Sequence, residues 1–363
     1  MIVAGIMSGT SLDGIDVAVV DIGKGIRPIA HKTVPYPKPL KEAILAVSNN
    51  QCHTSQISRL NFQLAELYAK ALGDWVRRYK VKLIGCHGQT VYHEGSGPKA
   101  STMQLGDGSV LAQRAGVPVV SDFRPRDMAA GGKGAPLVPF LDYKLFRDRR
   151  RGRVALNIGG IANLTAIPPA AKPEDVLAFD TGPGNMLIDG LVRHFTQGRR
   201  QFDPDGRIAS RGHLMRYLHD QLIEAPFYKA KPPKTAGREQ YGKEFITRLL
   251  ETKFSFANLV ATATVLTAST IVLAIERFVR PRMPVHDLII SGGGIHNQQI
   301  LFHLAALLPK VNIQSSAAYG VDPDAKEAVA FALLAYESFR KRPSNLPSAT
   351  GARKPVILGK LSL

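Results

Sequence analysis

Twice along the chain an apolar run ends in a glycine-rich turn bearing hydroxyl or amide side chains, then resumes at once as a second apolar run. The first copy is IVAGIMSGTSLDGIDVAVVD, Ile2 to Asp21; the second is VALNIGGIANLTAI, Val154 to Ile167. Each reads as a β-hairpin whose turn lets the backbone approach a ligand closely, because glycine adopts positive φ and carries no side chain. A hairpin that binds nothing explains one copy equally well. Two copies, one in each half, constrain the fold further: they point to paired α/β domains whose turns place two nests of backbone N–H groups around one anionic ligand. A third cluster, LIISGGGIHN (Leu288 to Asn297), ends a strand and opens a helix, a position suited to phosphate or to the base and ribose of a nucleotide. Neither the G-x-x-x-x-G-K-[ST] pattern nor a G-x-G-x-x-G joining strand to helix is present.

Between these turns, β-rich runs alternate with stretches of helical apolar spacing. Ile2 to Met7 and Asp16 to Ile22 predict a hairpin, and Thr54 to Lys80 a long helix burying Ile57, Leu60, Leu64, Leu67, Leu72 and Trp75. Lys82 to Cys86 predicts the next strand. A Pro/Gly-rich belt, SDFRPRDMAAGGKGAPLVP (Ser121 to Pro139), then breaks the regularity, so a boundary is expected between an N-terminal domain, residues 1–135, and a C-terminal domain, 136–363. The tail after about residue 340 is expected to pack back on the first domain. A length of 363 residues fits two domains.

The formal charge of +18, from 47 Lys and Arg against 29 Asp and Glu, favours anionic partners. The basic residues are dispersed, with RDRRRGRV (Arg147 to Val154) the one dense run, and no aromatic-interleaved or zinc-finger pattern accompanies it. Small anionic ligands are therefore expected rather than nucleic acid. Cys52 and Cys86 make neither a disulfide framework nor a zinc motif. The apolar stretch from Ala261 to Val279 is interrupted by Thr, Ser, Glu and Arg, so neither a membrane span nor a signal peptide is expected, and the protein reads as cytoplasmic.

Several motifs carry candidate chemistry. Asp180 ends the apolar run VLAFD and enters the turn TGPGN; it reads either as a general base fixed at a strand end or as a cap of the helix beginning near Asn185. His87, Gln89 and His93, with Cys86 and Glu94, match no zinc signature and read as polar packing or ligand hydrogen bonding. Asp122, Arg124, Arg126 and Asp127 form either a salt-bridged turn or a ligand contact. Lys234 and Arg238 read as phosphate contacts or as solvated charges, and Glu327 as a ligand-orienting carboxylate or a surface one.

The three glycine turns, in this order, resemble the phosphate-1, phosphate-2 and adenosine motifs of the actin, hexokinase and heat-shock ATPase superfamily. The complete series is similar to the anhydro-N-acetylmuramic acid kinases: GIMSGTSLDGIDVA (Gly5 to Ala18), HGQTVYH (His87 to His93), DFRPRDMAAGGKGAPLVP (Asp122 to Pro139), NIGGIANLT (Asn157 to Thr165), FDTGPGN (Phe179 to Asn185), SGGGIHN (Ser291 to Asn297) and NLPSATGA (Asn345 to Ala352). The resemblance implies a two-domain, actin-like (ribonuclease H-like) α/β fold with the site in the cleft between domains. It implies transfer of phosphate from ATP to the sugar's 6-hydroxyl with hydrolytic opening of the 1,6-anhydro ring, in peptidoglycan recycling, by a homodimer that uses Mg²⁺.

Position by position, the resemblance makes Asp180 the catalytic base. It gives ATP to Gly9, Thr10, Ser11, Leu12, Asp13, Gly14, Ile15 and Asp16, to Gly159, Gly160 and Asn163, and to Gly292, Gly293 and Gly294. It gives the sugar to His87, Gln89, Thr90, Asp122, Arg124, Gly182, Asn185 and Glu327. The first turn lacks the D-x-G-T of many sugar kinases, which leaves the metal to Asp13, Asp180 or water. The chain departs from the family pattern at KTAGRE (Lys234 to Glu239), where K-S-T-G-R-E is usual, at Gly132-Lys133-Gly134, where G-Q-G is usual, and at Ala349, where Val is common; no carboxylate is lost. Another sugar or acyl kinase would keep the three turns without pairing FDTGPGN with HGQTVYH. A non-catalytic actin-like ATPase would turn over ATP without sugar.

If the excess charge serves small anions, binding to duplex DNA should be weak and should fall by orders of magnitude between about 50 and 200 mM salt, as counterion release requires. Fluorescence anisotropy across that range checks this; tight, salt-resistant, sequence-selective binding would contradict it.

Overall fold

The computed structural model describes every residue except Thr10, Ser11 and Asp13, together with all of their side chains except that of Arg238. By their contacts the residues form two compact units, Met1–Leu145 with Ala325–Leu363, and Phe146–Asp324. The division expected at 135/136 falls at Leu145/Phe146, and the chain returns to the first unit at Ala325, before its last long helix rather than after it.

The first unit is built on a mixed sheet: β1 (Ile2–Ser8), β2 (Ile15–Ile22), β3 (Ile26–Val34), β4 (Leu83–Glu94), β5 (Ser101–Leu105), β6 (Val119–Ser121) and, after the excursion, β12 (Lys360–Ser362). β1, β2 and β3 form an antiparallel meander, β4 and β6 add in parallel beyond β1, and β12 closes the edge antiparallel to β6. The second unit repeats this with β7 (Arg153–Ile158), β8 (Ile161–Ile167), β9 (Leu177–Pro183), β10 (Asp287–Ser291) and β11 (Asn312–Ser315). Here β7, β8 and β9 are the meander, while β10 and β11 add in parallel beyond β7. Leaving aside β5, which pairs only with β4, and the edge strand β12, both sheets run 3-2-1-4-5 when counted within their units, the order of the ribonuclease H-like fold. The repeated hairpin in the sequence is thus the start of a repeated sheet.

Two elements differ from the sequence reading for local reasons. The expected helix over 54–80 stops at Leu72, because Gly73 takes a left-handed φ of 55° and only a separate turn, Trp75–Arg78, follows. β3 was not foreseen: it contains Pro28, which sits where the β2–β3 register shifts, the place a sheet tolerates a residue without an N–H. The apolar stretch at 261–279 belongs to the helix Phe256–Ala274 and the turn after it, which are long and apolar enough to cross a membrane; most of that length is buried in the second unit's core.

In the first unit the helix Lys326–Phe339 lies directly on β1 and β4, and the strands admit it only because they carry glycine. Gly5 and Gly85 are register partners. A Cβ on Gly5 would lie 1.8 Å from the Ala328 carbonyl oxygen, and one on Gly85 2.1 Å from that of Phe331. Helix and sheet therefore meet backbone to backbone, which alanines at 328, 332 and 335 permit. Gly5→Ala or Gly85→Ala should destabilise the first unit by about 3 kcal/mol or more, lowering its melting temperature by roughly 6–12 °C. Gly23→Ala, with nothing within 4 Å, should change it little. Calorimetry on the three variants makes the comparison.

Candidate functional site

In the second unit three glycine-rich loops converge. The β7–β8 turn, Gly159–Gly160, is held from behind by the start of the helix Asn185–Phe195. The N–H groups of Gly184 and Met186 donate to Gly160 O at 2.9 and 3.1 Å, and that of Asn185 to Gly159 O at 2.8 Å. A trans peptide carries its N–H opposite its C=O, so the N–H following each of these carbonyls faces away from the helix, where an anion would lie. The loop after β10 packs against the same turn: a Cβ on Gly292 would lie 2.6 Å from Asn157 Oδ1, and one on Gly294 2.2 Å from Ile158 Cγ2. Gly293 faces Asn185 Nδ2 at 3.8 Å and has room for a ligand. The sequence-predicted Gly159, Gly160, Gly182, Asn185, Gly292, Gly293 and Gly294 are therefore neighbours, as is Asn163, paired in register with Asn157 on one side and Asp180 on the other.

The end of β9 and the residue after it are clamped as well. Gly182 lies against Tyr228 and Thr270, which a Cβ would meet at 2.9 and 3.0 Å. Thr267 Oγ1 donates to Gly184 O at 3.0 Å, and Thr181 Oγ1 to Ala162 O at 3.1 Å. Asp180 lies within β9 rather than at its end, since the strand continues to Pro183. Its own N–H donates to Lys234 O at 3.1 Å, and its Oδ2 accepts the Ala236 N–H at 2.8 Å. Burial pushes its carboxyl up to about 6, with Glu239 adding to the rise and the Ala236 N–H and Lys234 opposing it. Asp180 caps no helix: Gly184 holds the N-cap of Asn185–Phe195.

Lys234 departs from the reading of a solvated charge. It is buried, and its ammonium donates to Phe227 O at 2.9 Å and Tyr228 O at 3.4 Å while sitting over the rings of Phe227, Phe278 and Phe179 at 4.7, 4.9 and 5.8 Å. Nothing in the spacing of KTAGRE announces this cage, because its walls come from distant segments.

The first unit holds the other group of candidates. Arg124 Nε and Nη2 lie 3.1 and 2.8 Å from His87 Nε2, and Arg124 Nη1 donates to Gly134 O at 2.8 Å. Burial and the nearby guanidinium hold His87 well below the ordinary imidazole range, which keeps Nε2 an acceptor for Arg124. Glu327 acts electrostatically on Arg124, and its carboxyl is raised by burial and by Asp16. Gln89 is spent inward, accepting Ser8 Oγ at 2.6 Å and donating to Gly9 O at 3.3 Å, so it braces the start of the first glycine turn. Thr90 accepts from Gln104 at 3.3 Å, and Asp122 lines a different groove with Arg126, Phe339 and Leu358. In that first turn Leu12 and Ile15 bury their side chains in the core, leaving only backbone toward a ligand. Asp16 accepts from Thr33 Oγ1 at 2.6 Å. Thr10, Ser11 and Asp13 lie outside the described residues.

Asp127, which sequence left between salt bridge and ligand contact, is fully buried. It accepts from Gly134 N, Asn345 Nδ2 and Thr350 Oγ1 at 2.8, 2.7 and 2.7 Å, tying the NLPSATGA segment to the belt. Among the described residues no three His, Cys, Asp or Glu side chains converge as a metal site; His93, raised as one member of such a set, instead meets Thr102 Oγ1 at 3.0 Å.

Comparison with known proteins agrees with this arrangement. The family model described as anhydro-N-acetylmuramic acid kinase matches residues 1–362. The anhydro-N-acetylmuramic acid kinase of Caldanaerobacter subterraneus subsp. tengcongensis is 42% identical, over 100% of this chain and 97% of its own. That of Salinibacter ruber is 43% identical over 99% and 96%, and that of Bacillus cereus strain AH187 is 41% identical over 100% and 99%. The glycine turns, the FDTGPGN strand end and the match over nearly the whole length lead to one conclusion: the chain belongs to the anhydro-N-acetylmuramic acid kinase family.

Proposed function

We propose that this chain phosphorylates the 6-oxygen of 1,6-anhydro-N-acetylmuramic acid with ATP as water opens the anhydro bridge that holds that oxygen, and that Asp180 is the base. The carrying observation is the place of Asp180: mostly buried, one oxygen fixed by Ala236 N–H, and paired in register with Asn163 on the strand that leaves the Gly159–Gly160 turn. A carboxyl with an ordinary value near 4 is a poor base; burial, by raising it to about 6, strengthens it as a proton acceptor while leaving it ionised at neutral pH.

In this reading Asp180 takes a proton from water as the water oxygen bonds to the anomeric carbon. The bond from that carbon to the bridging 6-oxygen breaks, and its electron pair passes to the 6-oxygen, which attacks the γ-phosphorus of ATP. ADP departs, N-acetylmuramic acid 6-phosphate forms, and Asp180 later returns its proton to solvent. The Gly159–Gly160 turn and the first-unit turn from Gly9 to Asp16 would hold phosphates through backbone N–H groups, and Gly292–Gly294 the nucleoside, with Gly293 leaving room beside it. His87, Arg124 and Glu327 form a partly buried polar group suited to sugar hydroxyls and the lactyl carboxylate. Mg²⁺ would arrive with ATP and screen its phosphates. Asp13 is the protein carboxylate left for it, because Asp180 is engaged by Ala236 and suits proton transfer better than ligation. We further read the protein as a cytoplasmic homodimer.

Two outcomes test the base. Asp180→Asn should lower kcat by roughly 10² to 10⁴ with sugar binding and melting temperature nearly unchanged; near-normal turnover in the folded variant would remove Asp180 from the role. The pH dependence follows from the direction of the shift. A base works deprotonated and its pKa lies near 6, so wild-type kcat/KM should hold at neutral pH and fall about tenfold per unit as pH drops below about 6. A rate profile from pH 4.5 to 8 measures the limb, and its absence would contradict the assignment.

A further inference from the structure

We propose that Lys234 is a positioning residue for Asp180, an inference that rests on reading Asp180 as the base. The two residues are joined twice through backbone. Lys234 O accepts the Asp180 N–H at 3.1 Å, and two residues further on Ala236 N–H donates to the carboxylate itself at 2.8 Å. What fixes this loop is the Lys234 side chain.

An ammonium taken out of water requires compensation. Lys234 is 7% exposed, and among the described residues no carboxylate lies within ion-pair distance of it. Its compensation is local: carbonyls of Phe227 and Tyr228, in the short helix Pro226–Lys229, and the faces of three phenylalanine rings. Those rings come from separate segments. Phe179 precedes Asp180 on β9, Phe227 belongs to the short helix, and Phe278 follows the helix Phe256–Ala274. One cation thus gathers three segments around the loop that supplies the amide to Asp180. Burial lowers the ammonium to about 8, with Arg277 adding to the fall and Asp180 opposing it.

Without the ammonium, the carbonyls lose their donor and the loop its anchor, and Ala236 N–H no longer holds Oδ2 in one place. Misplacing a base by a fraction of an ångström costs turnover rather than substrate affinity. Lys234 should therefore act on kcat and leave KM alone, whereas a phosphate-binding lysine would raise KM for ATP.

The test compares Lys234→Met, Lys234→Arg and Asp180→Asn in steady-state kinetics with 1,6-anhydro-N-acetylmuramic acid and Mg·ATP, each checked for folding by its melting curve. Methionine fills the cage but offers neither charge nor donors; its kcat should fall about 10- to 100-fold with both KM values within about threefold of wild type. Arginine keeps a cation on the rings and donors for the carbonyls, and should restore kcat to within about tenfold of wild type. Unchanged kcat in folded Lys234→Met overturns the proposal, as does a raised KM for ATP at unchanged kcat. If Lys234→Met does not fold, Phe278→Leu opens one wall and should give the same kcat-selected loss; normal kcat there overturns it equally. Asp180→Asn separates the two ideas: an active Asp180→Asn removes the base reading itself, while an inactive one beside a normal Lys234→Met removes only the role of Lys234.

Discussion

The first unit depends on one close approach, that of the helix Lys326–Phe339 to β1 and β4 across Gly5 and Gly85. Any larger residue at either position would push the helix off the sheet, and with it the groups the helix carries. Glu327 reaches the neighbourhood of Arg124 and Asp16 from the first turn of this helix, and Phe331 stacks at 4.5 Å from His87 and 5.3 Å from Phe123. Lys326 pairs with Asp142 at 2.7 Å, both almost fully buried, so that loss of either partner would strand a charge at a cost of about 3–5 kcal/mol. A helix contributed by the chain's final segment thus sets where the first unit's polar cluster lies.

The second unit solves a different problem: holding three irregular loops still. Regular structure does this from outside. The helix Asn185–Phe195 spends its first N–H groups on the Gly159–Gly160 carbonyls, and threonines of the buried helix Phe256–Ala274 reach the end of β9 and the residue after it, at Gly184 O and beside Gly182. On the other side the Lys234 cage secures the loop against Asp180. Each loop therefore has its polar backbone satisfied on the protein side, which leaves the opposite side for a ligand.

Much of this was legible in the sequence because glycine clusters at strand ends carry a strong physical meaning. The duplicated hairpin foretold the duplicated sheet, and the order FDTGPGN after NIGGIANLT placed Asp180 one strand from the turn, where the register pairs it with Asn163. What stayed hidden depends on long-range partners. β3 was missed because Pro28 and polar alternation obscure an edge strand, and the return of the chain at Ala325 because the helix there looks like any apolar helix until Gly5 and Gly85 are seen beneath it. Lys234 looked like a free cation because its phenylalanines lie up to 55 positions away in sequence, at Phe179. Asp127 looked like a partner for Arg124 or Arg126, yet its hydrogen bonds go to Gly134, Asn345 and Thr350.

The account as a whole says that this chain couples ATP to the opening of an anhydro sugar. The most direct measurement follows ADP release with and without 1,6-anhydro-N-acetylmuramic acid while the sugar product is identified by mass spectrometry. The account predicts negligible ADP without the sugar and, with it, one ADP for each N-acetylmuramic acid 6-phosphate formed. ADP release at equal rates in both cases, or a ring-opened sugar without phosphate, would contradict it.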